Sequence, residues 1–386
     1  MRFKTVSVQV DEGDAVVNAR AAARKVRDGL TGFSPSLVIF FAATNYDADT
    51  LAREIDDAFP DATTMGCTSS GEARDGKILN DSVVAMAFSA EALPYCRTAL
   101  VLKDAPAAGS AQPGVFSDTK EAMAHLGRKL PGKLIDMDYR EYVGFMLGDQ
   151  ISAFTESVLE KVGELTNVLF VGGFAGDDYK FLHLQRVFYR GKAYSDAAVL
   201  ALWKPARGFS LLKTQAVELT DKSMVITRAD EENRIIWEFD GEDAAAAYAR
   251  AIGVPAECLD ILDFDENPLA VTVDGEPYLR ALVKTVDGRG LQMFAQVHEG
   301  TRYTVTKAGD ALATTGAALR AKLAEMGHVE AILHVNCASR HTALKKFGQV
   351  EGFAELFADT PSIAFSSYGE IYVGIVAMTS TMILFK

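Results

Sequence analysis

The sequence predicts an α/β protein of repeated strand–helix–strand units, in which helices cover mixed sheets. A short polar phrase that ends in Gly and a carboxylate occurs three times, as GCTSSGE (66–72), GGFAGD (172–177) and FSSYGE (365–370). A short apolar run precedes each copy, and a second apolar run lies upstream of a helix-like stretch, at 37–41, 143–147 and 331–335. Internal repetition of this kind indicates one structural unit used several times.

The first unit alternates strands with helices. Its predicted elements are a strand at 5–10, a helix at 14–30, a strand at 37–41, a helix that ends at 59, a strand at 62–65 and antiparallel strands at 82–88 and 95–102. Asp11 or Asp14 can cap the first helix, Asp47 or Asp49 can cap the second, and Pro60 ends the second. The strand at 37–41 is wholly apolar, as expected in a sheet covered on both faces.

The second unit follows a loop rich in Ala, Pro and Gly at 105–117 and a helix at 118–130. Its predicted elements are a strand at 142–147, a helix at 152–165 and a strand at 168–171. The segments 181–189 and 193–203 then predict a hairpin around Arg190-Gly191-Lys192.

The second half begins with a β-rich stretch. Strands are predicted at 211–219, 224–227, 234–239, 269–273, 278–286 and 291–296, with a helix at 243–252 and Asp-Gly hairpin turns at 274–275 and 287–288. A helix is predicted at 310–326. The third unit then follows as a strand at 331–335, a helix at 342–357 and strands at 361–365, 371–377 and 381–385. We therefore predict two domains: 1–207 with two repeat units, and 208–386 with the third unit and a β-rich insertion.

Composition excludes several function classes. The formal net charge is −13, which argues against nucleic acid and anionic membranes because both need clustered Lys and Arg. No apolar run is long enough to span a bilayer, and we expect no signal peptide before the first strand. The scattered cysteines predict reduced thiols in a cytoplasmic protein: Cys67, Cys96, Cys258 and Cys337.

The repeated turns are the first candidate site, because ligands bind beyond the carboxyl ends of strands in such sheets. Gly allows close approach of the backbone to a ligand, and Glu72, Asp177 and Glu370 can each receive an amine. The alternative, that Gly and the carboxylate only shape the turn, stays open for each copy.

The segment Asn336–Arg340 ends a strand and opens a helix. Free N–H groups at a helix start attract an anion, and Arg340 adds a bidentate fork for a carboxylate or phosphate. Pairing of Arg340 with a nearby acidic side chain is an equally open alternative. The corresponding positions in the other units are 44–47 and 148–150.

Cysteine and histidine chemistry supply further alternatives. Cys67 or Cys337 would serve as a nucleophile only beside a cation or a helix start, and inert packing is the competing interpretation. A single histidine suffices for haem, so His183 and His298 are candidate haem ligands. No spacing supports a zinc site, and Walker A, Gly-x-Gly-x-x-Gly and Gly-x-Ser-x-Gly motifs are absent, so we do not predict an enzyme.

A resemblance to a family rests on these same motifs. The run LVIFFAATNY (37–46), followed by GCTSSGE and GGFAGD, resembles the N-terminal half of FIST domain proteins. NCASR (336–340) and SSYGE (366–370) resemble the C-terminal half of the family. The resemblance implies an intracellular sensory module that binds a small molecule, such as an amino acid. It also implies a separate signalling partner, such as a histidine kinase, a diguanylate cyclase or a chemotaxis component.

Two ligands are compatible with this resemblance. Some FIST proteins bind haem and respond to nitric oxide, which makes a haem sensor one alternative. For an amino acid, we expect Arg340 and the helix start at Asn336 and Cys337 to take the carboxylate, and Glu370 or Glu72 to take the ammonium. Other turn residues complete the predicted ligand-binding set: Ser367, Tyr368, Cys67, Ser69 and Asp177.

Overall fold

Three copies of one α/β unit form the body of the molecule. The computed structural model describes residues 1–105, 112–180, 182–273 and 276–386. The elements of the first unit are β1 (Phe3–Gln9), α1 (Ala15–Gly29), β2 (Leu37–Ala42), α2 (Ala48–Ala58), β3 (Thr63–Thr68), β4 (Glu72–Arg74), β5 (Lys77–Leu79) and β6 (Ser82–Phe88).

The second unit repeats this order, with a 3-10 turn at Leu134–Asp136. Its elements are β7 (Tyr95–Leu102), β8 (Val115–Phe116), α3 (Thr119–Leu126), β9 (Val143–Gly148), α4 (Ala153–Leu165), β10 (Phe170–Phe174), β11 (Val187–Tyr189), β12 (Lys192–Tyr194) and β13 (Ala197–Lys204).

The third unit begins with β14 (Phe209–Gln215) and is then interrupted by residues 217–308, which we call the inserted lobe. The elements of the lobe are β15 (Val217–Asp230), β16 (Ile235–Phe239), β17 (Glu242–Asp243), α5 (Ala244–Ile252), a 3-10 turn (Ala256–Cys258), α6 (Ile261–Glu266), β18 (Leu269–Val273), β19 (Glu276–Arg280), β20 (Leu282–Val286), β21 (Gly290–Met293) and β22 (Arg302–Ala308). The lobe strands form their own eight-stranded sheet.

The third unit resumes after the lobe. Its remaining elements are α7 (Ala311–Met326), β23 (Ala331–Cys337), α8 (Ala338–Lys346), α9 (Val350–Glu355), β24 (Ser362–Ser367), β25 (Glu370–Tyr372), β26 (Gly374–Val376) and β27 (Thr379–Phe385). In every unit the second and third long strands run parallel, as β2 and β3, β9 and β10, and β23 and β24.

The units exchange their hairpins in a closed cycle. The β4–β5 hairpin of the first unit pairs with β24 of the third, β25–β26 of the third pairs with β10 of the second, and β11–β12 of the second pairs with β3 of the first. None of the three body sheets is complete without a strand pair from another unit. The arrangement is a closed head-to-tail ring within one chain.

Main-chain hydrogen bonds at the strand ends repeat around this cycle and form what we call the strand-end ring. The N–H of Ser70 donates to the carbonyl of Ser366 (3.0 Å), that of Gly176 to Thr68 (3.0 Å), and that of Tyr368 to Phe174 (3.2 Å). Each unit thus donates to the next. The three repeated phrases, distant in sequence, lie against one another about a pseudo-threefold axis.

The core has a shared interior and three outer layers. The inner faces of the three sheets form one hydrophobic cluster, while their outer faces pack on the helices of their own units. Equivalent aromatic side chains from β6, β13 and β27 meet on the axis: the Phe88 ring centroid lies 5.9 Å from that of Trp203 and 5.6 Å from that of Phe385. Burial of such rings is the main stabilising contribution to the interior.

The predicted fold class is confirmed: the chain forms mixed α/β sheets covered by helices, with a β-rich section in its second half. Of the predicted helix caps, Asp14 caps α1 and Asp47 caps α2. Both residues of the Asp287-Gly288 turn have positive φ and join β20 to β21. The predicted turn at 274–275 and positions 106–111 of the predicted loop lie outside the described residues.

Several predicted boundaries were wrong. The segment 193–203 is not one hairpin arm, because Lys192–Tyr194 and Ala197–Lys204 belong to different sheets. The helix at 342–357 is two helices, since Gly348 has a φ of 64° and breaks it. The strand at 278–286 is divided in two near Ala281. Helix α6, strand β22 and the β4–β5 hairpin were not predicted, although Asp75-Gly76 is an Asp-Gly turn signal.

The parallel pair β2–β3 generates a stability prediction. A Cβ at Gly66 would lie 1.8 Å from the Phe40 carbonyl oxygen, so we expect Gly66→Ala to destabilise the fold by about 3 kcal/mol. Gly163 lies exposed in α4 with nothing near its Cβ position. Gly163→Ala is therefore the matched control and should stabilise by up to about 1 kcal/mol. Urea unfolding measures both changes, and equal stability of the two variants would contradict the packing described here.

Candidate functional site

A cavity lies between the strand ends of the third unit and the inserted lobe, and we call it the lobe cavity. Its volume is about 230 Å³. The body contributes the ends of β23 and β24, where Cys337 is followed at once by α8 and Ser367 by the turn into β25. Most of the lining is apolar: Ile151, Ile261, Leu279, Ala281, Phe294, Ala295, Ala338, Ile375, Val376 and Ala377.

Two ionisable side chains of opposite charge line the cavity from the lobe side. Asp265, on α6, is only 7% exposed, and Arg280 stands at the end of β19. Burial raises the pKa of Asp265 to about 6, although a hydrogen bond with the Ser339 side chain opposes this rise. A carboxyl and a guanidinium in a mostly apolar cavity favour a ligand that carries both charges.

Two tyrosines form the wall of the cavity nearest the strand-end ring. The Tyr368 hydroxyl donates to Asp177 Oδ1 (2.6 Å) and accepts from the Tyr179 N–H (2.9 Å). The Tyr179 hydroxyl donates to the Ala338 carbonyl (2.7 Å), at the start of α8. Burial raises the pKa of both tyrosines, so each remains a neutral donor. The second unit thereby holds the wall of a cavity that belongs to the third.

Comparison with known families decides what kind of protein carries this cavity. The FIST N domain matches residues 36–242 and the FIST C domain matches residues 244–373. The chain belongs to the FIST family. FIST domains are sensory domains that bind small ligands in signalling proteins. No curated protein is significantly similar to the chain. Within the described residues, no helix combines the length and the apolar character needed to cross a membrane.

Among the predicted ligand residues of this FIST protein, Cys337, Ser367 and Tyr368 come together in the cavity wall. Asp177 lies directly behind Tyr368. Cys337 is 4% exposed, and burial raises the pKa of its thiol, which disfavours the thiolate needed for nucleophilic attack.

Glu370 is enclosed beneath the cavity wall. One carboxylate oxygen accepts from Ser367 Oγ (2.7 Å), and the other accepts from the Thr379 N–H (3.0 Å) and Oγ1 (2.9 Å). Burial raises its pKa to about 7 against these hydrogen bonds. The carboxyl fixes the turn between β24 and β27.

Glu72 has the equivalent place in the first unit. It accepts from Ser69 Oγ, from the Ser82 N–H (3.3 Å) and from Ser82 Oγ (2.6 Å), and burial raises its pKa to about 7. Cys67 beside it is wholly buried in the central cluster. These three predicted residues, Cys67, Ser69 and Glu72, therefore lie apart from the lobe cavity.

The second unit departs from this pattern. Strand pairing places Val187, not Asp177, opposite Cys67, where the other units have their glutamates. Asp149 accepts instead from the N–H groups of Asp196 (2.6 Å) and Ala197 (3.3 Å) at the start of β13. Asp177, the carboxylate of the second phrase, accepts instead from the Tyr368 hydroxyl (2.6 Å) and from the Leu182 N–H (2.9 Å).

Arg340 lies outside the lining of the lobe cavity. Its Nη1 donates to the Thr214 carbonyl (3.1 Å), and its Nη2 donates to the Ala311 carbonyl (3.2 Å) and to Thr315 Oγ1. It is 3% exposed, and burial lowers its pKa to about 10. The guanidinium joins α8 to β14 and α7, and we found no acidic side chain bonded to it among the described residues.

Asn336 faces a second, smaller cavity on the helix side of the sheet. This cavity of about 30 Å³ is also lined by His334 and His341, and Asn336 Oδ1 has no partner there among the described residues. Burial lowers the pKa of His334 to about 3 and that of His341 to about 4. A space of this size holds one or two water molecules.

The histidines predicted as haem ligands do not fit a haem. His183 and His298 line one open groove that also carries Glu231 and Glu232. Both histidines are exposed, and His298 Nδ1 lies 3.1 Å from Glu231 Oε2. A haem needs an enclosing apolar pocket around its axial ligand. Within the described part of the chain, no group of three His, Cys, Asp or Glu side chains is arranged to hold a metal ion.

The sequence did not predict the two charged residues of the lobe cavity. Asp265 and Arg280 belong to the lobe, which has no counterpart in the other units, so the repeat pattern could not point to them. Tyr179 was also missed, because it follows the second phrase instead of belonging to it.

The two buried glutamates, which have equivalent places in the first and third units, predict that stability depends on pH. Because the folded-state pKa values of Glu72 and Glu370, about 7, lie above the ordinary value of 4.5, the folded state binds protons more tightly than the unfolded state. Their contribution to the free energy of unfolding must fall as the pH rises from about 5 to 8. We expect the double variant Glu72→Gln/Glu370→Gln to flatten this fall, measured by thermal unfolding.

Glu160→Gln is the control for that experiment, because Glu160 is exposed on α4. It should leave the pH profile unchanged. An identical slope in the wild type and the double variant would show that these carboxyls take up no protons on folding.

Proposed function

We propose that this FIST protein senses a small zwitterion with an apolar body, such as an apolar amino acid, and that the lobe cavity is its binding site. One observation carries the proposal: the cavity is mostly apolar, yet Asp265 and Arg280 both line it. An isolated charge is costly to bury. A ligand that brings the opposite charges would neutralise both side chains.

The roles follow from charge and reach. Arg280 is the candidate partner of the ligand carboxylate, because a guanidinium binds carboxylates through two parallel hydrogen bonds. Asp265 is the candidate partner of the ammonium. Tyr179, Tyr368 and Thr342 supply neutral polar contacts, and Leu279, Phe294 and Val376 supply apolar contacts that would select the ligand's side chain.

This assignment moves the carboxylate-binding role from Arg340 to Arg280. Arg340 is buried, and main-chain carbonyls and Thr315 accept from its guanidinium. Arg280 is partly exposed and lines the cavity, and its Nη1 donates to the Leu279 carbonyl (3.1 Å). The helix start still contributes, since Ala338 and Ser339 line the same cavity. Cys337, Ser367 and Tyr368 remain proposed ligand contacts, because they line the same cavity.

We further propose that the protein acts in the cytoplasm through a separate signalling protein, such as a histidine kinase, a diguanylate cyclase or a chemotaxis component. Family membership supports a signalling context and favours sensing over catalysis. The neutral, buried thiol of Cys337 agrees with a role in the wall and not as a nucleophile.

Calorimetry with a panel of amino acids tests the proposed ligand class. We expect one apolar amino acid to bind, and Arg280→Gln or Asp265→Asn to weaken its binding at least about tenfold through loss of a charged hydrogen bond. Arg302→Gln and Asp221→Asn, at exposed positions on β22 and β15, are the controls. Equal affinity in all four variants would overturn the proposed site.

Binding should also depend on pH. Because the pKa of Asp265 is about 6, its carboxyl is protonated below that pH and loses its attraction for an ammonium group. We expect an affinity at about pH 5 that is roughly tenfold lower than at pH 7.5. Asp265→Asn should bind weakly at both values. A wild-type affinity that is constant across this range would exclude Asp265 as the ammonium partner.

A further inference from the structure

The inserted lobe has a hydrophobic core of its own. Its buried cluster consists entirely of residues between Met224 and Val305, and it is separate from the central cluster of the body. Among the described residues, the buried apolar cluster that joins the two is small: Ala270 and Leu279 from the lobe, Cys337 and Met378 from the body. A part that is packed internally and attached weakly can move as one rigid piece.

The chain enters and leaves the lobe at one place. Ala216 separates β14 from β15, and Gly309 and Asp310 separate β22 from α7. The two crossings lie side by side, because Val217 pairs with Ala308 and the Gly309 N–H donates to the Ala216 carbonyl (2.9 Å). Two adjacent single-chain connections form a hinge, since rotation there leaves the packing on either side intact.

A mostly buried ion pair fastens the lobe to the second unit. Arg234, in the turn between β15 and β16, places Nη2 2.6 Å from Glu156 Oε2 in the first turn of α4. The side chains are 15% and 11% exposed. Arg234 Nη1 also donates to the carbonyls of Ile151 (3.5 Å) and Phe294, and both of these residues line the lobe cavity.

The other lobe–body contacts differ in kind. Lys346 and Glu266 form an ion pair between α8 and α6, but these side chains are 47% and 36% exposed, so solvent weakens their attraction. Gln215 donates to the Pro277 carbonyl (3.0 Å) from next to the hinge, and the Ser339 side chain of α8 hydrogen-bonds with Asp265 of α6. Among these contacts, Arg234 differs because it binds a carboxylate of the body, Glu156, and also main-chain carbonyls of the cavity wall, one in the body and one in the lobe.

We propose that the inserted lobe is a lid that opens about the hinge at Ala216 and Gly309, and that the ion pair of Arg234 with Glu156 is the latch that holds it shut. The role of the lid in sensing rests on the proposed function, because the cavity it covers is the proposed ligand site. Opening moves Leu279, Arg280 and Phe294 away from the strand ends. Removing one member of the ion pair raises the open population, because the charge that is left without a partner is hydrated only when the lid is open.

The native thiol of Cys337 reports opening without any ligand. It lies in the cavity wall at 4% exposure, so N-ethylmaleimide reaches it when the lid opens. We expect Arg234→Met and the milder Glu156→Gln each to speed alkylation of Cys337 by about tenfold or more, followed by mass spectrometry of the modified peptide. Arg234→Lys, which keeps the charge but not the forked geometry, should give an intermediate rate.

The matched control is Arg289→Met, which removes an ion pair with Asp243 inside the lobe and should leave the Cys337 rate unchanged. Cys67, in the central core, reports global unfolding in the same sample. Faster labelling of Cys337 alone supports the lid. An unchanged Cys337 rate in both latch variants, or a parallel rise at Cys67, overturns it.

The result is separable from that of the binding experiment. A panel in which no amino acid binds contradicts the proposed ligand but leaves the alkylation rates as evidence on the lid. Conversely, if an amino acid binds but the latch variants do not change the alkylation rate of Cys337, the ligand site is supported and the lid proposal is wrong.

Discussion

The cyclic exchange of hairpins is the constraint on which the rest of the structure depends. Without it, β3, β10 and β24 would each be an unpaired edge, and exposed edges promote association with other chains. With it, the strand ends of all three units are drawn to one axis by main-chain hydrogen bonds. The aromatic contact of Phe88, Trp203 and Phe385 fixes the same axis elsewhere in the core. Folding of any one unit therefore depends on the other two.

Within this symmetric frame, the proposed ligand site lies where the symmetry is broken. The lobe interrupts the third unit and covers the strand ends of that unit, together with Ile151 of the second. The second unit breaks the pattern in another way, by a longer connection after its repeated phrase that brings Asp177 and Tyr179 to the cavity wall. Two departures from the repeat thus meet at one cavity. The first unit keeps the regular turn, with Glu72 enclosed by serines, and serves as support.

The sequence predicted features that depend on neighbouring residues. It did not predict which strands and side chains, distant in sequence, contact one another. Apolar runs, the caps at Asp14 and Asp47 and the repeated phrases predicted the units and the position of the turns. The exchange was not predictable, because nothing in the short β4–β5 hairpin tells which unit it joins. Arg340 shows the same limit: a helix start and an arginine suggest an anion site, but the direction of the guanidinium depends on β14 and α7. Asp265 and Arg280 lie outside any repeat or motif.

The pseudo-threefold axis also limits how many such cavities one chain can hold. Ser70, Gly176 and Tyr368 occupy equivalent positions in the strand-end ring, but even a Cβ on Gly176 would lie 2.3 Å from Ser70 Oγ. The Gly176 place therefore has no room for a tyrosine like Tyr368. The repeat therefore supplies a frame in which one unit carries the proposed site, and that proposal implies a stoichiometry of one ligand per chain.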